Sequence, residues 1–279
     1  MNKNYKLIEK RHVSDVEGDV YYLEHIQSGA RVLKIANNDS NKTFCITFKT
    51  QPDDDSGVAH VLEHSVLNGS KKYPVKSPFD LLIKGSLNTF LNAMTGSDVT
   101  MFPAASISEK DYFNLMDVYL DAVFNPLLRQ ETFEQEGWHF ELPDKESPIT
   151  LSGVVYNEMK GAFSSPDDVL SREIMNALYP DTAYGVESGG DPEVIPELTY
   201  EQFLDFHRAY YHPSNSYIYL YGDMDMAEKL IWMDEEYLSK YDYLEVDSKV
   251  QMQEAFDKPV FIQKDYPIIE GESLENKYY

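Results

Sequence analysis

The sequence predicts an α+β domain: a mixed, mostly antiparallel sheet with helices packed on it. Short apolar segments typical of strands are separated by turn-forming residues, and longer amphipathic segments typical of helices follow them. The two kinds do not alternate regularly, which favours an α+β arrangement over a parallel α/β one. With 279 residues, of which 42% are hydrophobic and 13% aromatic, the chain is long enough to enclose a sizeable core.

The first fifty residues predict strands of an antiparallel sheet, because their apolar segments are separated by the turn-rich QSG and NNDSN. These strand segments are VYYLEH, ARVLKIA and KTFCITFKT. The turn QPDDDSG then offers N-cap residues to a helix in GVAHVLEHSVLNGS. That helix is expected to end near Asn68 and Gly69.

The middle of the chain mixes both kinds of element. KSPFDLLIKGSLNTFL predicts a short helix, and TFLNAMTGSDVTMF predicts two strands joined through Gly96 and Ser97. EKDYFNLMDVYLDAVFN has apolar residues at helical spacing and is stopped by Pro126. WHFEL predicts another strand.

The remaining segments predict mainly helices, with one strand in SYIYLYG. The helical segments are SGVVYNEMKGAF, DVLSREIMNALYP, TYEQFLDFHRAYY and MAEKLIWMDEEYLSKY. From about residue 246 the periodicity gives way to an acidic stretch with spaced prolines. We therefore expect a main domain over residues 1–245, with residues 246–279 as an acidic linker or the start of a second domain.

Composition excludes several function classes. The formal net charge of -24 argues against nucleic acid and anionic membranes as partners, and no stretch has the roughly 18 apolar residues that span a bilayer. Cys45, in the apolar run TFCITF, is the single cysteine and is expected to be a buried thiol. Since the N-terminus also lacks an apolar or arginine-rich leader pattern, we expect a cytoplasmic protein.

The segment His60-Val61-Leu62-Glu63-His64 carries the strongest chemical signal. On a helix that advances 100° per residue, Glu63 and His64 lie 60° and 40° on either side of His60, so the three polar groups share one face. Two imidazoles at i and i+4 reach one zinc ion, and a carboxylate at i+3 lies close enough to act on a water molecule without being a ligand. The alternative is a surface helix with its polar residues in solvent.

A catalytic zinc site needs a third protein ligand, and spacing alone does not choose it. With one cysteine in a predicted strand, a carboxylate is favoured. Glu158 lies in an otherwise apolar helical stretch, where a carboxylate needs a partner to offset desolvation. A salt bridge to Lys160 or another base is the alternative explanation.

Other chemical motifs are weaker. His207 and His212 are five residues apart, about 140° around a helix, and Pro213 disrupts the second position, so a structural role is favoured. The stretches GSLNTFLNA and GVESGGDP contain neither a G-x-S-x-G elbow nor a Walker loop. The sequence therefore gives no support for a serine hydrolase or a nucleotide enzyme.

HVLEH resembles the inverted zinc motif of the pitrilysin and insulinase metallopeptidases. Further segments, spread over about residues 22–223, resemble the branch that contains presequence protease and falcilysin. They are LEHSVLNGSKKYPVKSPF, GSLNTFLNAMTGSDVTMFPAAS, DVYLDAVFNPLL, QEGWHFEL, GVVYNEMKGAFSSP, YGVESGGDPEVIPELTYEQF and FHRAYYHPSNSYIYLYGD. The resemblance implies a pitrilysin-type fold and a zinc-dependent endopeptidase that acts on short unstructured peptides.

The resemblance also implies roles for particular residues. His60, His64 and Glu158 would hold one zinc ion, and Glu63 would act as the general base. The segment Ser86 to Ala93 resembles the family's edge strand, where a peptide adds as an extra β-strand, with Asn92 and Ala93 near the site. The acidic balance fits basic peptides as substrates.

Members of that branch are several times longer and close as two halves around a chamber, so this chain is expected to need a C-terminal half, from the same protein or a partner subunit, for full activity. The alternative is a non-catalytic zinc-binding or scaffold subunit of a peptidase assembly. A hydrolase of the S-ribosylhomocysteinase type, which uses a cysteine ligand, is disfavoured because Cys45 precedes the motif and lies in a predicted strand.

Overall fold

A computed structural model describes residues 3–265. Within them the chain forms eight α-helices and ten strands. The helices are α1 (Val58–Val66), α2 (Pro78–Gly85), α3 (Glu109–Phe124), α4 (Gln130–Glu136), α5 (Val154–Ala162), α6 (Pro166–Leu178), α7 (Tyr200–Tyr210) and α8 (Met226–Glu236). The strands are β1 (Tyr5–Val13), β2 (Gly18–His25), β3 (Arg31–Ala36), β4 (Lys42–Lys49), β5 (Asn88–Leu91), β6 (Met94–Thr95), β7 (Val99–Ser106), β8 (His139–Glu141), β9 (Thr150–Ser152) and β10 (Ser216–Tyr221).

The main sheet has the order β1-β2-β3-β10-β4-β7-β5, and β6 also pairs with β7. All pairs are antiparallel except β3 with β10, because the last strand enters the middle of the sheet. Strands β8 and β9 form a separate hairpin. The mixed, mostly antiparallel α+β fold that the sequence predicts is confirmed.

Alternation within strands places the core on one face of the sheet. In β4, Phe44, Ile46 and Phe48 are fully buried, whereas Cys45 between them is half-buried on the opposite face. The expectation of a buried Cys45 is thus only partly met, although burial still raises the pKa of its thiol. Helix α3 covers β4 and β7, and its first turn is capped by the Ser108 hydroxyl, which accepts from the Asp111 amide.

Three elements were not expected from the sequence, namely β1, α4 and the short strand β9, and one helix was expected to be longer. Strand β1 at the sheet edge is rich in charged residues, and the short helix α4 lacks a side-chain N-cap, so neither carries a strong periodic signal. The helix expected over KSPFDLLIKGSLNTFL ends at Gly85, and Asn88–Leu91 instead form β5, paired with β7. Pairing with a neighbouring strand overrides local helical spacing here.

After Lys240 the chain runs without helix or strand to residue 265. The division into residues 1–245 and 246–279 stays a prediction, and residues 266–279 lie outside the described residues. No helix within residues 3–265 is long and apolar enough to cross a membrane.

Candidate metal centre

Helix α1 fixes one wall of a cavity. Val61 and Leu62 are fully buried in the core, and this anchors the helix with its polar side turned outward. His60, Glu63 and His64 line a cavity of about 840 Å³ together with Glu158. The helix therefore presents all three polar side chains to one space, as the 3.6-residue period predicts.

The possible metal ligands converge at this cavity. The Nε2 atoms of His60 and His64 each lie 3.6 Å from Glu158 Oε2. One ligand atom from each of the three residues lies within 4.8 Å of the others. Two ligands at tetrahedral zinc, each about 2.0 to 2.1 Å from the ion, are separated by about 3.4 Å. The spacing and the nitrogen and oxygen donors therefore fit a single zinc ion.

Glu158 reaches the cavity from α5, and its side chain is 52% exposed. The expectation of a desolvated carboxylate is therefore wrong: α5 buries Val155, Tyr156 and Met159 and turns Glu158 to the cavity. Within residues 3–265, the Glu158 carboxylate lies next to the two histidines and forms no salt bridge with Lys160.

The Nδ1 atoms of His60 and His64 face different kinds of acceptor. His60 Nδ1 lies 3.0 Å from the carbonyl oxygen of Gly189, and His64 Nδ1 lies 3.4 Å from Glu136 Oε2. Since a carbonyl oxygen only accepts, Nδ1 of His60 carries the proton, and the carboxylate selects the same tautomer of His64. Both Nε2 lone pairs are thereby directed toward the ligand position.

Glu136 is a buried carboxylate that sequence reasoning missed. Its residue is 6% exposed, and its Oε1 accepts hydrogen bonds from Asn68 Nδ2 at 3.1 Å and Gln135 Nε2 at 2.9 Å. The segment QEGWHFEL contributed to the family resemblance, but nothing in its spacing connects Glu136 to His64. A buried carboxylate beside a candidate ligand histidine becomes visible only once α4 and α1 are packed together.

The site has a negative potential that favours a cation. Burial alone would lower the pKa of His64, but the hydrogen bond to Glu136 and the charges of Glu63 and Glu158 outweigh it and raise that pKa above its usual value. The same carboxylates attract a bound metal ion.

Glu63 lines the same cavity as the candidate ligands His60, His64 and Glu158 but does not belong to their cluster. The residue is 7% exposed, and its Oε2 accepts a hydrogen bond of 2.7 Å from the Thr95 hydroxyl. Thr95 is the last residue of the short strand β6, which pairs with β7. The β6–β7 hairpin therefore fixes one oxygen of the Glu63 carboxylate. Within the described part of the chain, Oε1 has no hydrogen-bond partner.

Asn92 and Ala93 line the same cavity, in the link between β5 and β6. The backbone of Asn92 is fixed on both sides: its amide donates to the Pro103 carbonyl at 3.2 Å, and its carbonyl accepts from the Tyr119 hydroxyl at 3.2 Å. Strand β5 is the last strand of the sheet on this side. Among residues 3–265 its outer edge pairs with no other strand.

Among residues 3–265, the remaining histidines belong to no second group suited to a metal ion. His207 Nε2 donates to the Val123 carbonyl at 3.0 Å, and His212 Nδ1 accepts from the Ser214 amide at 3.2 Å. The structural role expected for both is confirmed. Within the described residues, the group of His60, His64 and Glu158 is the one cluster suited to a metal ion.

Comparison with known families places this chain among peptidases. The family described as Insulinase (Peptidase family M16) matches residues 49–149, and the Peptidase M16 inactive domain matches residues 197–277. Both matched models belong to one family of peptidases. The chain belongs to the insulinase family of peptidases, family M16.

Similar sequences come from bacteria and plants. Protein HypA of Clostridium perfringens is 50% identical over 277 residues, which cover 99% of this chain and 28% of that protein. Presequence protease 1, chloroplastic/mitochondrial, of Arabidopsis thaliana is 46% identical, with coverage of 98% and 26%. This chain therefore spans about a quarter of the length of these relatives.

Solved structures show the same fold at lower identity. Pitrilysin matches with a TM-score of 0.69 and 19% identity over 89% of this chain and 26% of its own. A protease from Helicobacter pylori matches with a TM-score of 0.63 and 20% identity, covering 78% of this chain and 49% of its own. The pitrilysin-type fold that the resemblance implies is confirmed.

Proposed function

We propose that this chain is the catalytic domain of a zinc-dependent endopeptidase that hydrolyses short unstructured peptides. The observation that carries the proposal is the convergence of His60 Nε2, His64 Nε2 and Glu158 Oε2 on one position, with Glu63 beside it. The peptidase family supports the reaction class. His60, His64 and Glu158 would together hold one zinc ion at the cavity.

Zinc in such a site is a Lewis acid that acidifies a water molecule and polarises the scissile carbonyl. Glu63 serves as the general base: its carboxylate takes the proton of the attacking water and later delivers it to the leaving amine. The hydrogen bond from Thr95 holds one oxygen of this carboxylate, which leaves the other to receive the proton.

The edge of β5 is the proposed peptide-binding strand. A substrate segment paired with this edge would run toward Asn92 and Ala93 in the cavity wall. Backbone pairing requires an extended peptide, which explains a preference for unstructured substrates. The net charge of -24 and the carboxylates of the cavity favour basic peptides.

We further propose that full activity needs a C-terminal half, from the same protein or from a partner subunit. The relatives are about four times as long as the part that this chain matches. The chain alone is expected to bind zinc and to cleave peptides slowly. The cytoplasmic location expected from the sequence stays a prediction.

The test compares the unaltered chain with the variants Glu63→Gln and Glu141→Gln, each loaded with zinc. Glu141 is an exposed residue of β8 and serves as the matched control. Zinc content is measured by elemental analysis, and cleavage of a fluorogenic basic peptide is followed with and without a C-terminal half. We expect Glu63→Gln to keep one zinc and lose cleavage by at least about 100-fold, while the control keeps both.

Substantial cleavage by zinc-loaded Glu63→Gln would contradict the role of Glu63. A zinc-loaded chain that remains inactive with the C-terminal half present would instead favour the non-catalytic scaffold.

A further inference from the structure

The loop over residues 187–191, within the GVESGGDP stretch, forms the support behind His60. Its Gly189 carbonyl faces His60 Nδ1, and Glu187 Oε1 accepts from the Gly189 amide at 3.1 Å. Asp55 holds both ends of the loop: its carboxylate accepts from the Glu187 amide at 2.7 Å, and its carbonyl accepts from the Asp191 amide at 2.8 Å. The loop is therefore fastened to the segment that leads into α1.

The same loop touches the start of α1 through backbone atoms. Gly57, at φ +70°, and Gly190, at φ +102°, approach so closely that a Cβ on Gly190 would lie 2.9 Å from the Gly57 Cα. Only glycine fits both the conformation and the contact. A displacement of the loop is thus passed directly to the helix that carries His60.

Arg172 of α6 holds this loop from outside. Its Nε donates to Glu187 Oε2, and its guanidinium lies 3.7 Å from the ring centroid of Phe163. Phe163 is the C-cap residue directly after α5, and α5 carries Glu158. The Arg172 side chain therefore contacts both the loop behind His60 and the C-cap of the helix that carries the proposed third ligand.

The burial of the Arg172–Glu187 ion pair favours a role in fixing local geometry over a role in stabilising the fold. The side chains of Arg172 and Glu187 are 17% and 22% exposed, so both lose much of their hydration. Arg172 Nη1 is buried without a hydrogen-bond partner within residues 3–265. Ion pairs with such desolvation costs contribute little net stability but define geometry well.

We infer that Arg172 is a positioning residue for the metal centre, acting through Glu187 and Gly189 on His60 and through Phe163 on α5. This inference rests on the zinc site proposed above. Loss of the guanidinium frees the Glu187 side chain that braces the Gly189 amide. The carbonyl that orients His60 then shifts, and the ligand set fits zinc less closely.

The test measures zinc dissociation constants of the full chain by competition with a chromogenic chelator. The variants are Arg172→Gln, Glu187→Gln and the double variant, and the matched control is Arg208→Gln. Arg208 forms ion pairs on the exposed face of α7, away from the cavity. We expect each single variant to bind zinc about 10-fold more weakly and the double variant to lose little more, because both act through one contact. The control should match the unaltered chain.

A second readout separates positioning from folding. Cobalt replaces zinc, and the visible absorption spectrum reports the ligand geometry; we expect an altered spectrum in Arg172→Gln, and unchanged circular dichroism of the metal-free protein at the same temperature. If Arg172→Gln fails to fold, Glu187→Gln, which keeps an acceptor for the Gly189 amide, provides the same comparison.

Equal zinc affinity and an identical cobalt spectrum in the unaltered chain and the folded variants would overturn this inference alone. Absence of zinc binding by the unaltered chain would overturn the proposed function and this inference with it.

Discussion

Helices α1 and α7 pack against each other, and each carries histidine in a different role. In α1, His60 and His64 direct Nε2 toward Glu158 in the cavity. In α7, His207 donates from Nε2 to the Val123 carbonyl and stacks on Tyr211 with ring centroids 4.9 Å apart. The same side chain is thus a candidate ligand in one helix and a packing element in the other.

The difference lies in which ring nitrogen is satisfied by the protein. On α1 the rear nitrogen, Nδ1, faces Gly189 or Glu136, so Nε2 remains available. On α7, His207 Nε2 is instead hydrogen-bonded to the backbone carbonyl of Val123. The surroundings also move the pKa in opposite directions, because carboxylates raise that of His64 whereas burial lowers that of His207 to about 4. The partners of the ring therefore decide its role.

The largest expected effect comes from removing a ligand from α1. His64→Ala leaves two of three protein ligands, so zinc affinity should fall on the order of 1,000-fold, while the free energy of unfolding of the metal-free chain changes little. Chelator competition and urea denaturation measure the two quantities. His12→Ala, at an exposed histidine of β1, is the control; zinc affinity in His64→Ala equal to that of this control would contradict the assignment of His64 as a ligand.

Much of this contrast was predictable from the sequence. The i, i+4 spacing of His60 and His64 placed both on one face, and the proline after His212 argued against a second pair. The hydrogen-bond partner of His207 was not predictable, because Val123 lies 84 residues away. Contacts of this length depend on how helices pack, which local periodicity does not encode.

A smaller effect is expected for His207 of α7, which should make the free energy of unfolding depend on pH. Burial lowers the pKa of His207 to about 4, the hydrogen bond to Val123 opposes this, and the charge of Arg208 adds to it. In the unfolded chain the imidazole titrates near 6.5, so the unfolded state binds the proton first. Stability is therefore lost as pH falls from about 6.5 toward 4, by about 2 kcal/mol at pH 5.

Urea denaturation at pH 7.5 and pH 5.0 measures this loss, with His207→Gln as the comparison. The glutamine side chain keeps an amide donor for the Val123 carbonyl but does not itself titrate in this range. We expect its stability to fall by about 2 kcal/mol less than that of the unaltered chain over the same interval. An equal fall in both proteins would show that other groups govern the acid sensitivity.

The candidate site shows a similar division between the predictable and the unpredictable. The helix around Glu158 was predicted, but its carboxylate was expected to be desolvated and is instead half-exposed at the cavity. Glu136, Thr95 and Arg172 gave no usable signal, since they come from separate elements that meet only in the folded chain. Ligand spacing is local, whereas the groups that orient ligands are distant in sequence.

The smallest expected effect separates the two histidines of α1 from each other. His60 faces a neutral carbonyl of Gly189, which no side-chain substitution removes, but His64 faces the Glu136 carboxylate. Glu136→Gln removes this charge and should weaken zinc binding about 10-fold, or about 1.4 kcal/mol. Glu134→Gln, at an exposed position of the same helix, is the matched control. The Glu136 carboxylate is expected to make His64 Nε2 a stronger electron-pair donor to zinc. Equal zinc affinity in Glu136→Gln and Glu134→Gln would therefore mean that a neutral hydrogen-bond acceptor at Nδ1 suffices for both histidines.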